Sequence, residues 1–373
     1  MNKMRKTVSS VVSELDADSD SKEDRIVERL RAHLLSGEWE PQSRLPSHRA
    51  LGERLQVSTR TIYNALSRLT AEGFLETKDR SATLVASHPP HLFRYGLVFP
   101  WEAREDKASL LWQAFLGAAE RVKAESPEYS FPSYHGIDRI GGRAQYERLM
   151  TDIRAHRLGG IIFANPPRVL AGTDVILQER IPAVALQSHV DMPHLGYMDA
   201  QGASVACLRQ GCAWLAEQRR RRLGILLYVR DEGWPAEAIK ATRKEAGKYG
   251  IRVEPGWVHA LPVNSPEAAR SLLELLMRLS RNDRPDALMI LDDNLVEGVA
   301  AACVSLGIRV PDEVALVGHA NFPCLPRHSV PVHLTGYDME GFLRACLRWF
   351  EAEREGANPP RAIPIAACDT KRA

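Results

Sequence analysis

A chain of 373 residues, 45% hydrophobic and 26% charged, is too long for one ordinary core and has the composition of globular protein, so two or three domains are expected. With 49 Lys and Arg against 47 Asp and Glu, the formal net charge is only +2, which excludes a globally basic polyanion binder; any nucleic-acid contact must come from a local arrangement of charge. No apolar run is long enough to span a bilayer and the opening MNKMRKTVSSVV lacks a signal-peptide core, so cytoplasmic residence with no membrane partner is expected. Cys207, Cys212, Cys303, Cys324, Cys346 and Cys368 show no ligand spacing, which predicts buried thiols in a reducing compartment, no metal and no cofactor.

In chain order, residues 1–22 are polar and rich in Ser and Asp, and read as a disordered tail. Ile26, Leu30 and Leu34 repeat at helical spacing until Gly37 stops the helix. GEWEPQSRLP then turns the chain, Trp39 covers the core edge, and Ser47 caps a second helix whose inward pair is Leu51 and Leu55. Gln56-Val57 is so short a connection that the next helix must cross steeply, as in a helix-turn-helix. That helix runs from Ser58, an N-cap, to Gly73, a left-handed stop, with Ile62, Ala65, Leu66 and Leu69 on one stripe. Arg60, Thr61, Tyr63, Asn64, Ser67 and Arg68 are turned outward without a carboxylate, a surface that suits DNA; a plain solvated face is the other reading. FLET and ATLV, around Lys78-Asp79-Arg80-Ser81, form a two-stranded wing.

The stretch GEWEPQSRLPSHRALGERLQVSTRTIYNALSRLTAEGFLETK resembles the winged-helix domain of GntR-type transcription regulators over about sixty residues. The resemblance implies phosphate and base contacts at Ser47, Arg49, Ser58, Arg60, Thr61 and Tyr63, with Asn64 and the wing's Arg80 completing the DNA-binding set. Tyr63 stands where many members have Arg, and Ala82 replaces a glycine common in the wing. The winged helix is expected over 23–86.

Residues 87–93, within ASHPPHLF, read as a stiff, extended linker. Beyond it, from 94 to 373, strand-like runs (RYGLVF, GGIIFA, AVALQ, LGYMD, LGILLY, ALMILDD, VALVGHAN) alternate with helices over Leu110–Ala124, Ala203–Gln218, Ala236–Tyr249 and Val296–Leu306. Near-continuous apolar strands alternating with helices predict an α/β fold with parallel sheets covered on both faces. There is no G-x-G-x-x-G, Walker A or G-x-S-x-G motif at a strand-to-helix turn, and Gly136 and Gly141-Gly142 read as turn residues. The run Arg219–Arg222 reads as a solvated, capping cluster at a helix end, with a second nucleic-acid surface as the lesser reading.

Three passages, GCAWLAEQRRRRLGILL, ALMILDDNLVEGVAAACVSLGIRVPDEVALVGHAN and HLTGYDMEGFLRACLRWF, resemble the sensor domain of lactose-repressor-type regulators, built like periplasmic sugar-binding proteins. The resemblance implies two lobes, crossovers near Met198–Ala200, Val310–Glu313 and Tyr337–Met339, and a ligand cleft at the carboxyl ends of the strands. It places Asp293 as the ligand anchor, with Asp292 beside it; either carboxylate can instead cap the following helix. His319, Asn321, Trp101, Tyr228 and Arg230 are the other candidate wall residues, each with a structural reading alongside. The family's Arg-x-x-Gly-Phe is absent in register, Ala238 falling at the arginine. These readings converge on a homodimeric repressor whose operator affinity is set by a small molecule, a carbohydrate or related metabolite. The alternative is an enzyme on a Rossmann-like fold with an accessory DNA-binding domain, which lacks a nucleophile, metal or phosphate-loop signature.

Overall fold

The computed structural model describes residues 22–78, 82–100, 109–137, 143–165, 167, 170, 175, 181–186, 195–228, 234–263 and 265–370. The tail expected over 1–22, apart from Lys22, and Gly141-Gly142 lie outside the described residues.

Helix α1, Lys22–Leu35, buries Ile26, Val27, Leu30 and Leu34, as the periodicity requires. It also buries Arg31 at 1% exposure, a charge tolerated because it is paired with Glu28 and Glu72 and lies 5.7 Å from the Phe74 ring centroid. Helix α2, His48–Leu55, starts at the Ser47 cap and ends where Gln56 turns left-handed at φ 54°. Gly52 lets the next helix come close: a Cβ there would sit 2.9 Å from the Val57 carbonyl oxygen. Helix α3, Thr59–Ala71, buries Ile62, Ala65, Leu66 and Leu69, and Gly73 at φ +85° lets the Phe74 amide return to the Leu69 carbonyl. Strands β1, Leu75–Lys78, and β2, Ala82–Val85, pair antiparallel as a wing, and Leu45 adds a backbone bond to Thr83. The wing tip, residues 79–81, lies outside the described residues.

The linker is not extended. Residues Pro90–Phe93 form a helical turn, α4, because the fixed φ of Pro90 suits a first helical position. That turn puts rings where they can be buried: His91 stacks on Phe74 of the winged helix at 5.7 Å, and Phe93 lies 5.8 Å from Tyr129. Gly159, just before the strand Gly160–Phe163 of the neighbouring sheet, has room for no side chain, since its Cβ would meet the His91 carbonyl oxygen at 2.9 Å.

Beyond α4 are two six-stranded sheets. The first holds β3 (Tyr95–Val98), β4 (Ser133–Tyr134), β5 (Gly160–Phe163), β6 (Ala183–Ala185), β7 (Leu195–Asp199) and β13 (Ala362–Pro364), in the order β13-β7-β6-β5-β3-β4, all parallel. The second holds β8 (Leu223–Leu227), β9 (Val258–Ala260), β10 (Ala287–Ile290), β11 (Ala315–Phe322), β12 (His333–Asp338) and β14 (Ala367–Asp369), in the order β14-β12-β11-β10-β8-β9, with only β14 antiparallel. Helices α5 (Leu110–Glu125), α6 (Arg143–Arg154), α7 (Gln201–Glu217), α8 (Trp234–Gly247), α9 (Pro266–Arg278), α10 (Asp293–Ser305) and α11 (Met339–Arg354) connect them. The α/β expectation holds; β4, β9, β13 and β14 are too short to leave a period of their own. The predicted series also lacks the six-residue β12 and the helices α6, α9 and α11, although α9 buries Ala269, Leu273 and Leu276 at helical spacing.

The chain passes between the sheets after β7, after β12 and between β13 and β14. The crossover expected at Val310–Glu313 is a turn inside the second lobe, because α10 there joins two paired strands of one sheet, β10 and β11. In the Arg219–Arg222 run Arg219 and Arg221 are exposed, as expected of a solvated cluster, but three of the four guanidinium groups are bonded. Arg220 donates to the Asp312 and Pro311 carbonyls, Arg221 to Tyr249 and Arg222 to Arg284, so the guanidinium groups tie loops at one end of the second sheet.

A Cβ on Gly336 of β12 would fall 1.6 Å from the Ala320 carbonyl oxygen of β11, whereas Gly202 on α7 has nothing within 4 Å. Gly336→Ala is therefore expected to cost at least the ~1–3 kcal/mol of an overpacked site, and Gly202→Ala to add about 0.5–1 kcal/mol, both read from urea unfolding. A second expectation concerns His91, whose Nδ1 is buried without a hydrogen-bond partner. Burial, with the charges of Arg354 and His156, pushes its imidazole down from 6.5 to about 4. The unfolded chain takes up that proton near its ordinary pKa while the folded chain does not, so stability falls as pH drops from about 6.5 to about 4. The loss is on the order of 2–3 kcal/mol. His91→Phe, which keeps a ring on Phe74, is expected to flatten that part of the profile of unfolding midpoint against pH.

Candidate functional sites

Two places gather the candidate residues. The first is the face formed by α2 and α3. Ser47 Oγ accepts from the Ala50 amide at 3.2 Å, and Ser58 Oγ accepts from the Thr61 amide at 3.1 Å while its hydroxyl lies 2.8 Å from that of Thr61. Ser47, Ser58 and Thr61 thus first hold their helix starts, where the remaining first-turn amides favour an anion. Arg49 has a side chain 85% exposed and pairs with Glu53 at 2.9 Å, an exposed ion pair worth little and readily exchanged for a phosphate. Arg60 and Tyr63 project from α3, Tyr63 being 51% exposed. Arg80 lies outside the described residues.

Asn64 and Arg68 do not join this face. Asn64 Nδ2 donates to Glu23 at 3.1 Å, and Arg68 pairs with Asp24 at 2.5 Å and Glu72 at 3.3 Å. Both are turned toward α1, whose acidic first turn the helix period of α3 alone could not reveal. The outward surface is narrower than its sequence implies, and centres on Thr59, Arg60, Tyr63 and Ser67.

The second place is the Asp292-Asp293-Asn294 turn at the carboxyl end of β10. Asp292 is the N-cap of α10: its Oδ1 accepts from the Asn294 amide at 3.0 Å and from Asn294 Nδ2 at 2.8 Å. Asp293, 2% exposed, accepts from Asn321 Nδ2 at 2.6 Å and from Asn294 Nδ2 at 2.9 Å. The other amide atom of Asn321, its Oδ1, is buried without a partner and remains an acceptor for an incoming donor. Asn294 Oδ1 accepts from the Leu110 amide at the start of α5, at 3.2 Å, so this turn of the second lobe reaches the first. Asn294 was not among the sequence candidates; its position next to two carboxylates at a strand-to-helix turn was the available signal.

His319, on β11, packs edge-on against Tyr337 at 4.7 Å, and the Tyr337 hydroxyl lies 2.7 Å from that of Ser204. Ser204 follows the first crossover and Tyr337 precedes the second, so His319 stands beside two of the segments that join the lobes. Tyr228 packs against the apolar core of the second lobe. Trp101 and Arg230 lie outside the described residues. A cavity of 380 Å³ lies elsewhere, between α5 and the turn after β11, lined by Gln113, Gly117, Glu120, Arg121, Pro323 and Cys324. It holds none of the candidate ligand residues. Among the described residues no cluster could hold a metal, and burial pushes the Cys207 and Cys212 thiols up to about 12 and Cys303 to about 11, away from nucleophilic chemistry.

Comparison with known proteins agrees with both halves. Residues 22–85 match the family described as bacterial regulatory proteins, gntR family, and residues 213–349 match the periplasmic binding protein-like domain. Over 77 residues the chain is 42% identical to a rhizopine catabolism regulatory protein of Rhizobium meliloti, a match covering 20% of this chain and 16% of that protein's length. Over 319 residues it is 20% identical to the arabinose metabolism transcriptional repressor of Halalkalibacterium halodurans, 79% of each chain. A LacI family transcriptional regulator from Lactobacillus casei, with bound glucose, shares the fold at a TM-score of 0.52 and 17% identity, over 75% of this chain and 98% of that one. The chain thus joins a GntR-type helix-turn-helix domain to a periplasmic-binding-protein-like domain with the fold of LacI-family regulators.

Proposed function

We propose that the protein is a sequence-specific DNA-binding transcription regulator, a repressor, whose operator affinity is controlled by a small molecule bound between its two sensor lobes. The observation that carries this reading is the α2–α3 face: two serine-capped helix starts beside an exposed Arg60 and Tyr63, in a domain matching the gntR family. The halves correspond to a DNA-binding and a ligand-sensing part, and the matched regulator of arabinose metabolism is itself a transcriptional repressor. A carbohydrate or related metabolite is the effector class favoured, since the Lactobacillus casei neighbour holds glucose.

The effector's hydroxyls would donate to Asp293 and to the unpartnered Asn321 Oδ1 at the carboxyl end of the second sheet. The Asn294–Leu110 hydrogen bond couples that turn to α5 of the first lobe, so binding there biases how the lobes close. The first lobe carries the seat of His91, and through it Phe74 and the winged helix. A homodimer would present two recognition helices to successive major-groove faces of a pseudo-palindrome, and a change in lobe closure would alter their separation. No described helix is long and apolar enough to cross a membrane, and the operator-binding reading favours residence in the cytoplasm. The regulator reading is favoured over an enzyme with an accessory DNA-binding domain because the candidate carboxylates are engaged in a helix cap and a buried amide pair.

Arg49→Ala and Arg60→Ala are each expected to weaken operator binding by about 1–3 kcal/mol with the fold intact, measured by titration of a labelled duplex. Undiminished binding by the double variant would remove the assignment. A thermal-shift screen against small carbohydrates identifies the effector, since a ligand at a hundred times its dissociation constant adds about 2.7 kcal/mol. With the effector in hand, Asp293→Asn is expected to weaken its binding roughly ten- to a hundredfold, the loss of a charge-assisted hydrogen bond, while effector-free DNA affinity stays near wild type. Asp292→Asn keeps a good helix cap and is expected to respond normally. Loss of response in the Asp292 variant alone shifts the anchor by one residue.

A further inference from the structure

Four arginines stand on α2 and α3, and three have carboxylate partners: Arg49 with Glu53, Arg54 with Glu38, and Arg68 with Asp24 and Glu72. Arg60 has no ion pair among the described residues. Its guanidinium lies over the ring of Tyr63, one helical turn along, with 5.5 Å between the guanidinium carbon and the ring centroid. The Tyr63 ring in turn meets the His48 ring of α2 at 6.2 Å and 64°, an edge-on contact. These three side chains form a row across the helix-turn-helix: imidazole, phenol ring, guanidinium.

We propose that Tyr63 acts as a positioning residue, its ring holding the Arg60 guanidinium for a guanine in the major groove, and that His48 braces that ring from α2. This rests on the DNA-binding reading above. A long, exposed arginine side chain samples many rotamers, and ordering it on contact opposes binding. A guanidinium laid against an aromatic face is ordered beforehand, yet its N–H donors lie in its own plane and remain free at the edge. Those edge donors are what a bidentate contact with guanine O6 and N7 uses. The other three arginines are each drawn to a carboxylate instead. The proposal gives the 51% exposed Tyr63 a use that does not depend on its hydroxyl.

The test uses the full chain as wild type, Arg60→Ala, Tyr63→Phe, Tyr63→Ala, His48→Ala and the Arg60→Ala/Tyr63→Ala double variant. Each is taken through selection from a random-sequence duplex pool, and then titrated with the duplex that the wild type selects. Tyr63→Phe is expected to enrich the wild-type sequence and bind it within about twofold. Tyr63→Ala should bind about two- to fivefold more weakly, the range of an exposed cation–π contact, and lose preference at the same guanine as Arg60→Ala. The double variant should be no weaker than Arg60→Ala alone, because the ring acts through the arginine. His48→Ala should weaken binding less, at the same base pair. Loss of preference in Tyr63→Phe would make the hydroxyl the reader and overturn the proposal, as would losses at different base pairs or additive effects in the double variant. Retention of the wild-type preference by Arg60→Ala removes Arg60 as reader. A wild-type chain that enriches no sequence overturns the DNA reading itself, and this proposal with it.

Discussion

Each sensor lobe is completed by chain from the far end of the sequence, and the rest of the molecule depends on that constraint. Helix α11 leaves the second sheet and buries Met339, Phe342, Leu343, Cys346 and Phe350 in the core that contains Tyr95, Leu97 and Phe115 of the first lobe. Strand β13 then pairs with β7 and β14 with β12, one in each sheet. Each lobe takes its last elements from chain that has already passed through the other, and three passages link them. Hinge motion about a few segments is the kind of change a cleft ligand can bias.

The same economy governs the attachment of the winged helix. A flexible tether would leave the recognition helix indifferent to the sensor, whereas α4 seats His91 between Phe74 and the backbone at Gly159. Within the winged helix, Arg31 ties α1 to the end of α3 through Glu72 and lies against the same Phe74 ring. Phe74 therefore touches both the ion pair that orients α3 and the residue that meets the sensor. Buried charge and a buried neutral imidazole are costly groups to place at a joint, and each is held by neighbours on more than one element.

At the Asp292-Asp293-Asn294 turn the protein uses short polar side chains that bond one another. Asp292 spends its carboxylate on the start of α10, Asp293 and Asn321 share a buried hydrogen bond, and Asn294 reaches across to α5. The remaining Asn321 oxygen gives the site an acceptor suited to hydroxyl donors. No such network is visible in one strand or one helix, because its members come from the turn after β10, α10, β11 and the start of α5.

The sequence by itself determined what depends on local period and local chemistry. The stripe Ile62, Ala65, Leu66 and Leu69, the caps Ser47 and Ser58, the stop at Gly73 and the apolar strands LGILL and ALMI are properties of short windows, and each adopts the expected state. Tertiary structure decided what depends on partners distant along the chain. It turned Asn64 and Arg68 toward Glu23 and Asp24, and made the 87–93 segment a docked turn where prolines alone suggested an extended one. It also spread the Arg220–Arg222 guanidinium groups over carbonyls up to 92 residues away. A helical period says which residues share a face, but only the packed neighbours say what that face meets. Side-chain charge finds its lowest free energy against whichever opposite charge or carbonyl the fold brings within reach.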